Sequence, residues 1–244
     1  MTICDGILPS ETDLWVNWGM DSHTSPALVF DLDGTLVDTA PDLLGALNAI
    51  LHREGRPPVN HADLRHLVGF GARTMLAEAF KMTGDPADEA RLSSLMDDYI
   101  AHYKKHIAVA SRPFPGVEAT LGRLKAEGAR MAVLTNKPQE LTDLLLPALD
   151  LSGFFAAIHG AGRLEVNKPD ARVFHAVIEE LGGAGAGAVM IGDSVTDVKT
   201  ARAAGVPVIV VDYGYTPEPA HMLGADAVTG DFSEIPALAR RLLG

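Results

Sequence analysis

Ala27-Leu-Val-Phe-Asp31-Leu-Asp33-Gly34-Thr35-Leu-Val-Asp38 begins with four apolar residues and runs into a turn that carries three aspartates. A short unbroken apolar run is the pattern of a strand covered on both faces, as in a parallel sheet. Gly34 then allows a sharp turn. The turn leaves Asp31 and Asp33 beyond the carboxyl end of the strand, where open α/β sheets bind their ligands.

Runs of the same kind recur at Ala129–Thr135, Ala156–His159, Ala188–Ile191 and Pro207–Val211, with Asp226–Thr229 as a possible sixth. Between them, apolar residues repeat at helical spacing: Val117, Leu121 and Leu124, then Leu141, Leu144, Leu145 and Leu149, then Val173, Val177, Ile178 and Leu181. Strands alternating with helices predict a doubly wound, mainly parallel α/β sheet. Later strands follow one another at the usual stride of a βα unit, roughly 20 to 35 residues. From Asp31 to Thr135 the stride is far longer, which leaves about 70 residues beyond one such unit. That excess is helical in pattern: Leu43, Leu44, Leu47, Ile50 and Leu51 form a stripe, with Thr39 as the expected N-cap and Pro41 in the first turn, and Ala72–Met82 and Ala87–His106 read as two more helices. The expected organisation is a catalytic core over residues 25–39 and 111–244, a helical cap over 40–110, and an N-terminal extension over 1–24 without an assigned role.

The 244 residues carry a formal net charge of -12. An acidic body repels nucleic acid and anionic membranes, so neither is an expected partner. The single cysteine, Cys4, allows no intrachain disulfide. No apolar run is long enough to span a bilayer, and the acidic start does not read as a signal peptide. The expectation is a cytoplasmic monomer or homodimer. An anionic substrate must then find its positive charge locally.

Three further polar stretches lie at or near strand ends: Thr135-Asn136-Lys137, Asn167-Lys168-Pro169-Asp170 and Gly192-Asp193-Ser194-Val195-Thr196-Asp197. Such parts suit phosphoryl transfer. A carboxylate can attack phosphorus and be regenerated by water, and Mg²⁺ is held by one or two carboxylates with other oxygens. Asp31 is the expected nucleophile. Asp31, Asp193 and the Asp33 carbonyl are the expected Mg²⁺ ligands. Asp33 is the expected general acid and base. Thr135, the Asn136 amide and Lys168 would hold the transferring group, with Thr35 also placed against substrate. Asp197 would orient Lys168 or stand behind the metal ligands, or else stabilise a helix N-terminus; Asp38 would lead into the first cap helix. His102 and His106 sit one helical turn apart without an evident third ligand, and read as a solvated face. The glycine-rich run 182–187 precedes a strand instead of following one, which excludes a dinucleotide fingerprint.

Taken together, Asp31-Leu-Asp-Gly-Thr-Leu-Val-Asp38, Thr135-Asn-Lys, Lys168-Pro and Gly192-Asp193-Ser-x-x-Asp197 resemble the four ordered motifs of the haloacid dehalogenase-like hydrolase superfamily, from about residue 27 to the C-terminus. The resemblance implies a Rossmann-like core, Mg²⁺ and a cap inserted after the first motif. An acid at the position of Asp33 is similar to the phosphatase branch. Leu67-Val-Gly-Phe-Gly-Ala-Arg73, Pro115-Gly-Val117 and Thr135-Asn-Lys-Pro138 are similar to segments of phosphoglycolate phosphatases. Arg73 is then the cap cation expected to meet a substrate carboxylate, with an exposed helix arginine as the alternative. The implied activity is hydrolysis of a small anionic phosphomonoester. A phosphosugar phosphatase or mutase of the same fold, and a phospho-accepting receiver domain, are the rival readings.

Overall fold

The computed structural model describes residues 25–60, 65–185 and 187–244; the expected extension over 1–24 lies outside the described residues. Six strands form one parallel sheet: β1 (Ala27–Phe30), β4 (Arg130–Pro138), β5 (Ala157–Ala161), β6 (Ala188–Gly192), β7 (Val208–Val211) and β8 (Ala227–Thr229). Their spatial order is β5-β4-β1-β6-β7-β8, and every neighbouring pair is parallel. The short strands β2 (Val37–Asp38) and β3 (Arg112–Pro113) pair antiparallel beside it.

Alternation along each buried strand divides its side chains between two layers. Leu28, Phe30, Val189, Ile191, Ile209 and Val211 join one cluster with α4 (Val117–Ala126) and α8 (Ile235–Leu243). Ala27, Val29, Ala188, Met190, Val208 and Val210 join the other with α6 (Ala171–Glu180) and α7 (Val195–Ala204). Helices on both faces explain why the strands read as continuous apolar runs.

Between β2 and β3 lie α1 (Ala40–Arg53), α2 (Ala72–Met82) and α3 (Glu89–Lys105). They pack around their own cluster, including Leu44, Leu47, Leu76, Tyr99 and Tyr103, which also reaches Leu141 and Tyr215. Helix α3 starts later than the pattern suggested because Asp88 caps it, accepting the Arg91 N–H at 2.8 Å. Asp42, buried in the first turn of α1, ties the entry to the exit: it accepts from the N–H groups of Ala110 and Ser111 and from the Ser111 hydroxyl, the last two at 2.7 Å. Thr39 does not play the expected part of side-chain N-cap to α1. Its side chain makes no capping bond; its hydroxyl donates to Asp33 Oδ1 at 2.6 Å instead. Among the described residues no helix is long and apolar enough to cross a membrane.

Candidate active site

The chain fills the sheet outward from β1 to β4 and β5, then places β6 on the other side of β1. That reversal opens a crevice at the carboxyl ends of β1 and β6. Asp31 follows β1 and Asp193 follows β6. Phe30 pairs with Ile191, and the Asp31 N–H donates to the Ile191 carbonyl at 2.8 Å, so the two acids leave the sheet side by side. Asp197, in the first turn of α7, joins them: one carboxylate oxygen from each of Asp31, Asp193 and Asp197 lies within 4.8 Å of the others, and all three residues are buried.

Lys168 enters from the loop before α6, with Nζ 2.7 Å from Asp197 Oδ1 and 2.9 Å from Asp31 Oδ1. Burial opposes the ammonium charge, but Asp197 and Asp31 outweigh it and raise the lysine above its usual range. Asp197 is fully buried. Its Oδ2 accepts from the N–H groups of Asp193 and Ser194, at 3.2 and 3.0 Å, and from the Ser194 hydroxyl at 2.6 Å. Both oxygens are thereby committed, one to Lys168 and one to the start of α7.

Asp193 sits in a cradle that leaves no room for adjustment. Thr35 donates its hydroxyl to Oδ1 at 3.2 Å, and the Tyr215 N–H donates to Oδ2 at 2.7 Å. A Cβ on Gly34, whose φ is +84°, would stand 2.5 Å from Asp193 Oδ2; one on Gly214 would stand 2.3 Å from it. Thr35, expected against substrate, is fully buried and does not border the crevice; its side chain turns to Asp193 instead.

Three buried carboxylates thus share one buried ammonium. Asp31 Oδ1 meets Lys168 Nζ at 2.9 Å as an ion pair and has no other side-chain partner among the described residues. Burial, opposed by Lys168 and assisted by the charge of Asp197, pushes the Asp31 carboxyl up to about 6. Burial, Asp197 and Asp31 push Asp193 well above the usual range. A group of hard oxygen donors with surplus negative charge suits a divalent cation.

Asp33 faces the same crevice. Its carboxylate accepts from Thr39 Oγ1 and from Lys137 Nζ, the latter 3.1 Å from Oδ1. Lys137 also donates to the hydroxyl of Tyr103, from α3, at 2.9 Å. Burial opposes the charge on Lys137, but Asp33 and Tyr103 raise its pKa. Thr135 is buried in the second half of β4, and its hydroxyl accepts the Lys137 N–H at 3.1 Å. The Asn136 side chain accepts the Lys168 N–H at 3.0 Å and donates to the Lys168 carbonyl at 3.1 Å, fixing the loop that delivers the lysine. Arg73 also borders the crevice. It is ion-paired with Glu89, both side chains substantially exposed. The crevice has a volume of about 670 Å³ and is bounded by Asp31, Asp33, Thr135, Lys168 and Asp193 on one side and by Tyr99, Tyr103 and Val68 on the other.

Two contributors had no distinct signal in the sequence. Tyr215, in the loop after β7, accepts the N–H groups of Thr39 and Ala40 at 2.7 and 3.0 Å and donates to Asp38 Oδ1 at 2.7 Å. Only its position just past a strand end hinted at it. Lys137 was visible as a neighbour of Thr135, but its pairing with Asp33 depends on a long-range contact.

The family described as haloacid dehalogenase-like hydrolase matches this chain over residues 28–211. A phosphoglycolate phosphatase of Caulobacter vibrioides is 48% identical over 216 residues, which cover 88% of this chain and 91% of that protein. One of Agrobacterium fabrum is 43% identical, covering 90% of this chain and 94% of its own. The crystal structure of a predicted phosphoglycolate phosphatase from Haemophilus somnus superimposes with a TM-score of 0.81 at 28% identity, covering 91% of this chain and 100% of that one. With the fold, the acidic strand ends and these relatives in agreement, the chain belongs to the haloacid dehalogenase-like hydrolase family.

Proposed function

We propose that this protein is a Mg²⁺-dependent phosphatase that hydrolyses phosphoglycolate, with Asp31 as its nucleophile. The observation that carries the proposal is the meeting of Asp31, Asp193 and Lys168 at the switch point of the sheet, with Asp33 facing the same crevice. Asp31, Asp193 and the Asp33 carbonyl would hold the cation, which when bound supplies charge neutralisation between carboxylates and phosphate.

The chain's own residues account for the rest. Asp31 Oδ attacks phosphorus, and the bond to the ester oxygen breaks. Asp33 gives its proton to the leaving alkoxide; it then takes one from water as that water attacks phosphorus, which frees Asp31 and inorganic phosphate. Lys168, Thr135 and the Asn136 amide hold the phosphoryl oxygens, their charge and dipoles strengthened by burial. The helices α1–α3 act as the cap that shields this chemistry from bulk water. The receiver-domain reading expects its aspartate on a later strand, whereas Asp31 ends the central first one. Phosphoglycolate is the substrate by analogy with the relatives from Caulobacter and Agrobacterium, which are matched over nearly their whole length.

Phosphate release from a panel of small phosphomonoesters, with and without Mg²⁺, tests the proposal. Phosphoglycolate should give the highest kcat/KM, and chelation should abolish turnover. A higher kcat/KM for a phosphosugar, or isomer formation without phosphate release, would contradict it.

A further inference from the structure

We propose that Lys137 and Tyr103 together form the subsite for the substrate's carboxylate, in place of the cap arginine Arg73. The inference rests on the phosphoglycolate reading above and assigns the group that selects it.

Lys137 and Tyr103 each hold a donor in reserve. An ammonium carries three N–H groups. On Lys137 one N–H is shared between the two oxygens of Asp33, at 3.1 and 3.4 Å, because a single carboxylate subtends too narrow an angle to take two, and a second goes to the Tyr103 hydroxyl at 2.9 Å; the third has no acceptor among the described residues. The Tyr103 hydroxyl accepts from Lys137, while its own proton goes to no acceptor among the described residues. Tyr103 is fully buried and Lys137 nearly so, yet both border the crevice. Two donors, buried side by side in the wall of a cavity, are a site for an anion.

Placement decides which anion. Lys137 Nζ stands 3.1 Å from Asp33 Oδ1, and Asp33 is the group that serves the ester oxygen. In phosphoglycolate a single methylene separates that oxygen from the carboxylate, so the carboxylate must lie next to whatever adjoins Asp33. Lys137 is the cation there. Phosphate itself belongs to Lys168 on the other side, beside Asp31. Arg73 is less suited: its side chain is 43% exposed and already paired with Glu89, so water and a competing carboxylate both weaken its hold on an anion. Tyr103 comes from α3 and Lys137 from β4, so a carboxylate bridging the two also ties the helical unit to the sheet.

The test compares phosphoglycolate with ethyl phosphate, the same ester with a methyl group for the carboxylate, on wild type, Tyr103→Phe and Lys137→Met. Thermal unfolding checks that each variant is folded, and Tyr103→Phe, which keeps the ring, decides if Lys137→Met is not. Wild type should prefer phosphoglycolate, and each substitution should lower the ratio of the two kcat/KM values roughly tenfold or more, chiefly through KM for phosphoglycolate. If wild type shows the preference and both variants keep it, or if Arg73→Ala removes it, the subsite is overturned while the phosphoglycolate reading stands. If wild type shows no preference, the substrate reading fails first and the subsite with it.

Discussion

Replacing Tyr215 by phenylalanine removes one oxygen and leaves the ring that packs against the helical unit. That oxygen is the acceptor for the Thr39 and Ala40 N–H groups and the donor to Asp38, so it caps the start of α1 at the crossing from β2. Tyr215 is 2% exposed, which limits replacement by water. A buried donor that loses its partner costs roughly 1–3 kcal/mol, and a net hydrogen bond about 1 kcal/mol. With partial relaxation of a helix end, the sum is about 3 kcal/mol. For a chain of this size each kcal/mol lowers the midpoint by roughly 2–4 °C, so Tyr215→Phe should melt about 6–12 °C below wild type. Urea titration followed by circular dichroism gives the free energy directly. A destabilisation below about 0.5 kcal/mol, the scale of a neutral surface change, would refute the assignment of Tyr215 as the cap of α1.

Gly214→Ala should cost Mg²⁺ affinity more than stability, because its Cβ would stand 2.3 Å from Asp193 Oδ2; a Mg²⁺ titration of phosphate release should shift upward by about tenfold or more, and an unchanged half-saturation would contradict the cradle. Asp33→Asn should lower kcat by roughly 10²–10⁴ while the protein stays folded, and near-normal turnover would remove Asp33 from proton transfer. The Asp31 carboxyl has a folded pKa of about 6 against an ordinary 3.8, so the folded state holds that proton more tightly than the unfolded chain. Its stabilisation, roughly 3 kcal/mol, is complete below the ordinary value and lost as pH rises through the folded one. In chelator, wild type should therefore fall in stability relative to Asp31→Asn between about pH 4 and about pH 7, and saturating Mg²⁺ should cancel the decline. A constant difference across that range would contradict the burial argument.

The sheet could be read from sequence because buried parallel strands advertise themselves as apolar runs, and even the short edge strand β8, Ala227–Thr229, showed through in the run Asp226–Thr229. Strand ends were readable too: Asp31 and Asp193 are polar residues placed directly after apolar ones, and a doubly wound sheet sends such residues to one edge. What stayed hidden depends on contacts between distant segments. Thr39 has the local signature of an N-cap, but the long-range Tyr215 hydroxyl takes that place and frees the threonine for Asp33. Thr35 was expected against substrate; the tight turn after β1, in which the N–H groups of Thr35, Leu36 and Val37 all donate to the Leu32 carbonyl, directs its hydroxyl to Asp193, a contact the sequence did not signal. Arg73 and Lys137 are both cations in plausible segments, and only burial separates the one held at the surface from the one enclosed beside Asp33.

Everything in the mechanism depends on the phosphoryl group passing through Asp31. Rapid quenching in acid during turnover of phosphoglycolate with Mg²⁺, followed by borohydride reduction and peptide mass spectrometry, measures this directly, since reduction of an aspartyl phosphate leaves homoserine at the phosphorylated position. The expected result is homoserine at position 31 in the wild type and none in Asp31→Asn. Homoserine at another aspartate, or phosphate release at the wild-type rate from Asp31→Asn, would contradict the account.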